Sequence, residues 1–207
     1  MYTLYNHPFS QHARRVVALL ELAKLPYETK QVDLMNAEHL SPHFLAINPN
    51  HQVPSLVDGD IAIHESGAIL RWLCTRHELT DWYPDNLAQR AQVEQWLDWT
   101  QCRFGPAVMG IVFNTVFAGD HADNVALNKG HKEMEELAPI LEAALEGRDW
   151  LAGGEHPTIA DIAAGSNIAH LALADAAPSS TNITAWHERL CALPGFAKAL
   201  PPQMAEA

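Results

Sequence analysis

Residues 54–57 and 61–63, Pro54-Ser55-Leu56-Val57 and Ile61-Ala62-Ile63, are two short apolar runs separated by Asp58-Gly59-Asp60. Asp-Gly between such runs supplies the backbone dihedrals of a tight turn, so this stretch predicts an antiparallel hairpin. What precedes it has a different rhythm. Residues 3–6 form a short strand stopped by His7-Pro8, and after Ser10 the apolar positions Ala13, Val16, Val17 and Leu20 fall on one helix face. Leu25-Pro26 closes that helix, because a residue before proline avoids helical dihedrals. Residues 27–34 predict a second strand, and 36–46 a helical or irregular crossover leading to Asn48-Pro49-Asn50. After the hairpin, residues 67–73 predict a helix with Ser66 as its N-cap.

The order is therefore β-α-β, a crossover, then β-β-α, which is a thioredoxin-like topology. Beyond residue 80 the texture is helical. Residues 77–87, with Pro84, predict a linker. A long helix from Ala91 carries Val93, Trp96, Leu97, Val108, Ile111 and Val112, with a bend expected at Gly105-Pro106. A second long pattern spans 127–145 with Pro139 inside it, where a kink is expected. Thr158-Ile159-Ala160-Asp161 is a capping box with Asp in place of Glu, opening a helix through Ala174. Residues 186–193 form a last short helix that Pro194-Gly195 ends. The expected fold class is an α/β thioredoxin-like N-terminal domain, residues 1–79, plus an all-α C-terminal domain, residues 88–207.

Charge removes several functions. The chain of 207 residues has 13 Lys+Arg against 25 Asp+Glu, a formal charge of −12, so it lacks the basic footprint of a nucleic-acid binder. The acidity is uneven: residues 1–80 carry 6 basic and 8 acidic residues, and residues 81–207 carry 7 and 17. No apolar run approaches the ~20 residues that span a bilayer. The first residues lack the basic and apolar segments of a secretory leader. Cys74, Cys102 and Cys191 are widely spaced, which suggests neither a disulfide framework nor a zinc site. A cytoplasmic protein without a metal is expected.

Four motifs then align in order: the run from Phe9 to Val16 with Ser10 and Arg14, His39 in the second βα segment, Gln52-Val53-Pro54 before the third strand, and Glu65-Ser66 at the third helix. Together with Thr158–Asp161 and Pro194-Gly195-Phe196 behind them, the sequence resembles the cytosolic glutathione transferase family over essentially its whole length. The Ser-Gln pair with Arg14 is most similar to the theta-like, serine-using branch common among bacterial members.

On its own, Ser10 reads as a helix N-cap. The resemblance implies a catalytic role at the same place. A glutathione thiol has a pKa near 8.5, so only a few per cent is thiolate at neutral pH. A hydroxyl donating to the sulfur beside a helix N-terminus favours the anion. Lowering the pKa by about two units takes roughly 2.7 kcal/mol, within reach of one charge-assisted hydrogen bond and a helix dipole. Tyr5 is the competing hydroxyl, but it lies in the strand pattern and reads as core.

The resemblance further implies a cis peptide at Val53-Pro54, leaving the Val53 backbone to pair with the cysteinyl segment of glutathione. It implies that Ser66, at a helix N-terminus, holds the γ-glutamyl carboxylate while Glu65 meets the ammonium. His39 and Gln52 would lie at the glycyl carboxylate. Arg14, Arg15 and Arg71 read as solvated helix residues without a contact. An apolar pocket for a hydrophobic electrophile would draw on Phe9, Phe104, Val108, Met109, Val112 and Phe113, although such a stripe is more often core. Gln101 and Arg103 could reach the thiol on position alone. A homodimer is expected from the resemblance.

Other chemistries lack their residues. Ala68 stands where the second zinc ligand of a His64-Glu65 protease motif would be. No Gly-x-Ser-x-Gly elbow surrounds Ser10 or Ser66. No cysteine accompanies His7–Ser10 as a glutaredoxin would require. Two alternatives to conjugation remain at this point: a glutathione-dependent peroxidase or disulfide reductase of the same fold, and a non-catalytic binding protein. Because the first 80 residues are only weakly acidic and hold all the anion-binding motifs, the expected site relies on backbone dipoles more than on cationic side chains. Its glutathione affinity should fall only weakly with salt.

Overall fold

Strand β1 (Tyr2–Asn6) runs parallel to β2 (Tyr27–Gln31) on one side and antiparallel to β3 (Ser55–Asp58) on the other. β4 (Ile61–His64) pairs antiparallel with β3 through the expected hairpin, giving the order β2-β1-β3-β4. The structure is a computed structural model describing residues 1–201. Gly59 sits in the hairpin turn at φ +59°, a conformation that costs glycine no steric clash. α1 (Gln11–Leu22) follows β1, the short α2 (Pro42–Leu45) precedes β3, and α3 (Ser66–Arg76) follows β4. The thioredoxin-like arrangement is the one observed. Leu4 and Leu56 of the sheet, Val16, Leu19 and Leu20 of α1, and Ile69, Leu70 and Leu73 of α3 are fully buried.

Two local expectations shift. β2 ends at Gln31, with the Val32 N–H continuing the ladder to Asn6 O at 2.8 Å. The N-cap of α3 is Glu65, so Ser66 is its first helical residue.

Contacts group Met1–Leu79 with residues 193–201, and Thr80–Ala192 as a second unit. Of the helical domain expected over 88–207, residues 202–207 lie outside the described residues, and 193–201 group with the first unit. The reason is α9 (Pro194–Ala199). Pro194-Gly195 opens this helix where the sequence suggested only a stop, since proline is well suited to a first helical turn. α9 docks on α1: Lys198 Nζ lies 2.8 Å from Glu21 Oε1, and a Cβ on Gly195 would fall 2.6 Å from Leu22 N and 2.9 Å from Glu21 C.

The second unit contains α4 (Leu87–Trp99), α5 (Gly105–Val112), α6 (Asn124–Ala144), α7 (Ile159–Leu171) and α8 (Thr181–Cys191). α4 begins earlier than the apolar spacing suggests, because Asn86 Oδ1 caps it by accepting from Ala88 N and Gln89 N at 3.0 and 3.1 Å. At the expected bend the chain widens into a π-helical turn, Thr100–Phe104, with the Gly105 N–H bonded to Thr100 O. Pro106 has no N–H for the carbonyl four residues back, and the wider turn accommodates that loss. α6 runs through Pro139 without ending there.

All of α7 is buried, and Asp161 ties it in. Its Oδ1 accepts from Leu151 N at 2.8 Å and Trp186 Nε1 at 3.0 Å; its Oδ2 accepts from Thr158 N at 2.8 Å and Thr158 Oγ1 at 3.0 Å. The capping box thus also fastens α8 and the 151 turn.

Two stability outcomes follow from these contacts. Gly195→Ala should lower unfolding stability by about 1–3 kcal/mol in chemical denaturation, because the methyl group meets α1 backbone that cannot give way; an unchanged midpoint would contradict the close approach. Asp161→Asn, though nearly isosteric, should cost at least about 2 kcal/mol in the same measurement. Either orientation of the amide puts an NH2 against a backbone N–H. A neutral effect would mean that the Asp161 acceptors are dispensable.

Candidate active site

The strand register brings the motif residues to one edge of the sheet. Tyr5 is paired with Ser55, Ser55 with His64, and Asn6 in parallel with Gln31. The C-terminal ends of β1, β2 and β4 and the N-terminal end of β3 therefore lie along the same edge. Every expected site residue sits on a segment leaving or entering it: Ser10 after β1, His39 after β2, Gln52 and Val53 before β3, and Glu65 and Ser66 after β4.

Ser10 caps α1. Its backbone is extended (φ −78°, ψ 113°), its N–H donates to His7 O at 2.9 Å, and its Oγ accepts from Ala13 N at 3.1 Å. With that acceptor position occupied, the hydroxyl still has its proton to give. His7 Nδ1 accepts the Phe9 N–H at 3.3 Å, and burial moves the His7 pKa downward, opposed by Asp33. The His7 ring therefore folds the loop ahead of α1 in its neutral form.

The entry to β3 is held by Asn48, a buried residue to which the sequence motifs assign no role. Its Nδ2 donates to Gln52 O at 2.7 Å and its Oδ1 accepts from Asn50 N at 3.0 Å. Ser55 Oγ also donates to Gln52 O, at 3.4 Å. His51 adopts φ +48°, and the Val53-Pro54 peptide is cis. An Asn two residues ahead of another Asn in a Pro-containing loop is a turn signal that could have pointed to Asn48. His39 lies in a short 3-10 turn, Glu38–Leu40, its ring centroid 6.3 Å from that of His51. His39 Nδ1 is buried without a hydrogen-bond partner among the described residues.

At the start of α3 the backbone is strained. Glu65 has φ +68° and ψ 112°, and its side chain makes no capping bond. A non-glycine residue held there costs on the order of 1–3 kcal/mol, and such outliers gather at ligand sites. Ser66 beside it is buried, and Arg15 Nη1 donates to its Oγ at 3.2 Å.

That bond overturns the solvated reading of Arg14 and Arg15. Both are only 2% exposed. Burial pushes the Arg14 guanidinium down to about 10, and burial together with Arg14 pushes Arg15 down to about 9, so both remain cations at neutral pH. A single apolar stripe on α1 does not account for this burial. This helix packs against α3 and α9 within its unit, and its buried surface takes in Gln11, Arg14 and Arg15 as well. Val17, assigned to the stripe, is only partly buried. Gln11, one turn before Arg15, buries both amide atoms without a hydrogen-bond partner among the described residues.

Tyr5 is core as expected, buried and edge-on to Phe44 at 6.0 Å between ring centroids. Among the pocket candidates, Phe104, Val108 and Val112 are fully buried core, while Met109 and Phe113 are exposed. Phe9 is half-buried beside His7, and Gln101 and Arg103 are exposed on the π-helical turn. Burial raises the Cys74 thiol to about 12, and burial with Glu188 raises Cys191 to about 11, which leaves both poor nucleophiles. Among the described residues no cluster of three or more His, Cys, Asp or Glu could hold a metal, and no helix is long and apolar enough to cross a membrane.

Comparison with known proteins agrees with this geometry. Residues 1–75 match the family model of the glutathione S-transferase N-terminal domain, and residues 104–194 that of the C-terminal domain. The chain is 34% identical to glutathione S-transferase 3 of Zea mays, over 96% of this chain and 95% of that one. It is 30% identical to glutathione S-transferase theta-1 of Homo sapiens, over 81% of this chain and 72% of that one. Among solved structures, the theta class glutathione S-transferase of Xanthomonas axonopodis pv. citri with glutathione bound superposes with a TM-score of 0.87 at 27% identity, covering 96% of each chain. By sequence, by both halves of its fold and by the edge at which its motif residues meet, the chain belongs to the glutathione S-transferase family.

Proposed function

We propose that this protein is a glutathione transferase of theta-like type, which binds glutathione as its thiolate and conjugates it to a hydrophobic electrophile. The observation that carries the reading is Ser10: its Oγ is fixed by the Ala13 N–H at the N-terminus of a twelve-residue helix, with its hydroxyl proton still to donate. Donation to the glutathione sulfur, supported by the helix dipole, stabilises the thiolate against its proton. The sulfur then attacks the electrophilic carbon, forming the C–S bond as the leaving group departs or the double bond is saturated. Holding the two reactants side by side supplies much of the remaining acceleration.

The other contacts follow the edge of the sheet. The Val53 N–H and C=O pair with the cysteinyl backbone in the manner of an added strand. Ser66 and its N–H receive the γ-glutamyl carboxylate at the start of α3, and Glu65 meets the ammonium. His39 and Gln52 receive the glycyl carboxylate; the unpartnered Nδ1 of His39 supports a donor waiting for an anion there. Glutathione is a co-substrate, and the chemistry calls for no metal. The same reading includes a cytoplasmic homodimer.

Ser10→Ala should reduce kcat for conjugation of a model haloarene by about 30- to 100-fold and raise the thiol pKa of bound glutathione by up to about two units, read from thiolate absorbance against pH. Glutathione affinity by calorimetry should change little, since the peptide is held elsewhere. An unchanged turnover and thiol pKa would remove Ser10 from the reaction. Assaying a hydroperoxide beside the haloarene separates conjugation from reduction: a dominant peroxidase rate would overturn the proposed reaction while keeping the site.

A further inference from the structure

We infer that Arg15 is a positioning residue for glutathione binding: by donating to Ser66 Oγ it compels that hydroxyl to point its own proton at the γ-glutamyl carboxylate. This rests on the reading of Ser66 as the ligand of that carboxylate.

A guanidinium has five N–H donors in a rigid fork and no acceptor, whereas a serine hydroxyl has one donor and two lone pairs. In the Arg15 Nη1 to Ser66 Oγ contact of 3.2 Å, the serine can therefore only accept. A hydroxyl on the first residue of a helix otherwise rotates among several directions, including toward nearby backbone carbonyls. With a cation fixed behind the oxygen, rotamers that place the hydroxyl hydrogen toward Arg15 are excluded. The proton is left to point away from α1.

The contact is built to be stiff. Arg15 is 2% exposed and Ser66 4%, and α1 packs directly against α3. In this water-poor setting a charge behind the hydroxyl polarises it, making it a stronger donor to an anion than an ordinary serine. A lysine could supply the charge but lacks the planar fork that fixes the direction of the bond. Arg71 adds a second guanidinium on the α3 side, its Nη1 only 3.1 Å from where a Cβ on Gly67 would stand. The first turn of α3 is thus approached by cations from two helices, while its strained Glu65 backbone sets the direction in which Ser66 is presented.

A positioning role and a structural one differ in which ligands they affect. If Arg15 acts through the Ser66 hydroxyl, its loss weakens ligands that carry the γ-glutamyl carboxylate and spares those that lack it. If Arg15 only supports packing, both kinds of ligand suffer alike. The probes are glutathione and the tripeptide analogue in which 4-aminobutyrate replaces the γ-glutamyl residue, removing that carboxylate alone. Calorimetry is run on the full chain, wild type beside Arg15→Met and Arg15→Lys.

Wild type should prefer glutathione over the analogue. Arg15→Met should weaken glutathione about tenfold or more while changing the analogue less than about twofold, collapsing the preference. Arg15→Lys should recover part of it. An equal loss for both ligands, or a full preference retained in Arg15→Met, overturns the inference while leaving glutathione binding itself intact. If Arg15→Met does not fold, Arg15→Lys decides: a selective loss of about threefold or more for glutathione supports the role, and no selective loss overturns it. If wild type binds glutathione no better than the analogue, the reading of Ser66 fails and the inference falls with it.

Discussion

Ser55 is the residue on which the geometry of the first unit turns. Its backbone pairs with Tyr5 on one side and His64 on the other, and its hydroxyl reaches back to Gln52 O. One residue therefore sets where β1 ends, where β4 ends and how the chain enters β3. A one-residue slip at this position would invert the side chains of the slipped strand and move its loop along the edge. The fully buried Ser55 and Leu56 leave little latitude for such a slip. The collection of Ser10, Val53 and Ser66 at one edge is thus a consequence of strand register, made before any side chain contributes chemistry.

The two serines on that edge are governed by one physical rule. A hydroxyl whose lone pair is claimed from within the protein has its proton left for something else. Ala13 N–H claims Ser10 and Arg15 claims Ser66. Structural and chemical roles are then not competing descriptions, because the capping bond that stabilises α1 is also what orients Ser10. The difference lies in the donor. A backbone amide presents a partial charge and Arg15 a full one, a difference that under the proposed function would suit Ser10 to a developing thiolate and Ser66 to a permanent carboxylate.

Much of this was legible in the sequence, for reasons that can be traced. The Asp58-Gly59-Asp60 turn, the Thr158–Asp161 box and the order of strands and helices all rest on local chemistry, and local chemistry survives in a sequence. What was not legible depends on packing from several sides. Arg14 and Arg15 look like solvated residues when α1 is given a single apolar stripe; they are buried because α3 and α9 both pack against it. α9 itself was hidden because Pro194-Gly195 reads as a terminator, whereas the glycine is required by the approach of Glu21 and Leu22. Asn48 lacks an apolar pattern altogether, and its bond to Gln52 O is visible only in three dimensions.

The buried arginines also bear on how this acidic chain would meet an anionic ligand. From charge counts alone, the attraction falls to backbone dipoles at helix ends, with weak salt dependence as the corollary. The buried arginines add a second cause for the same expectation. Two cations stand behind the edge that the proposed function gives to glutathione, yet at 2% exposure they are not surface charges that salt readily screens. A carboxylate reaching Ser66 would meet their field through a hydroxyl and a few ångströms of protein, where the effective dielectric is well below that of water. The field of the overall −12 is damped by salt beyond a screening length of about 8–10 Å, whereas the buried arginines are screened much less. Net repulsion and local attraction therefore coexist without conflict, because they operate over different ranges.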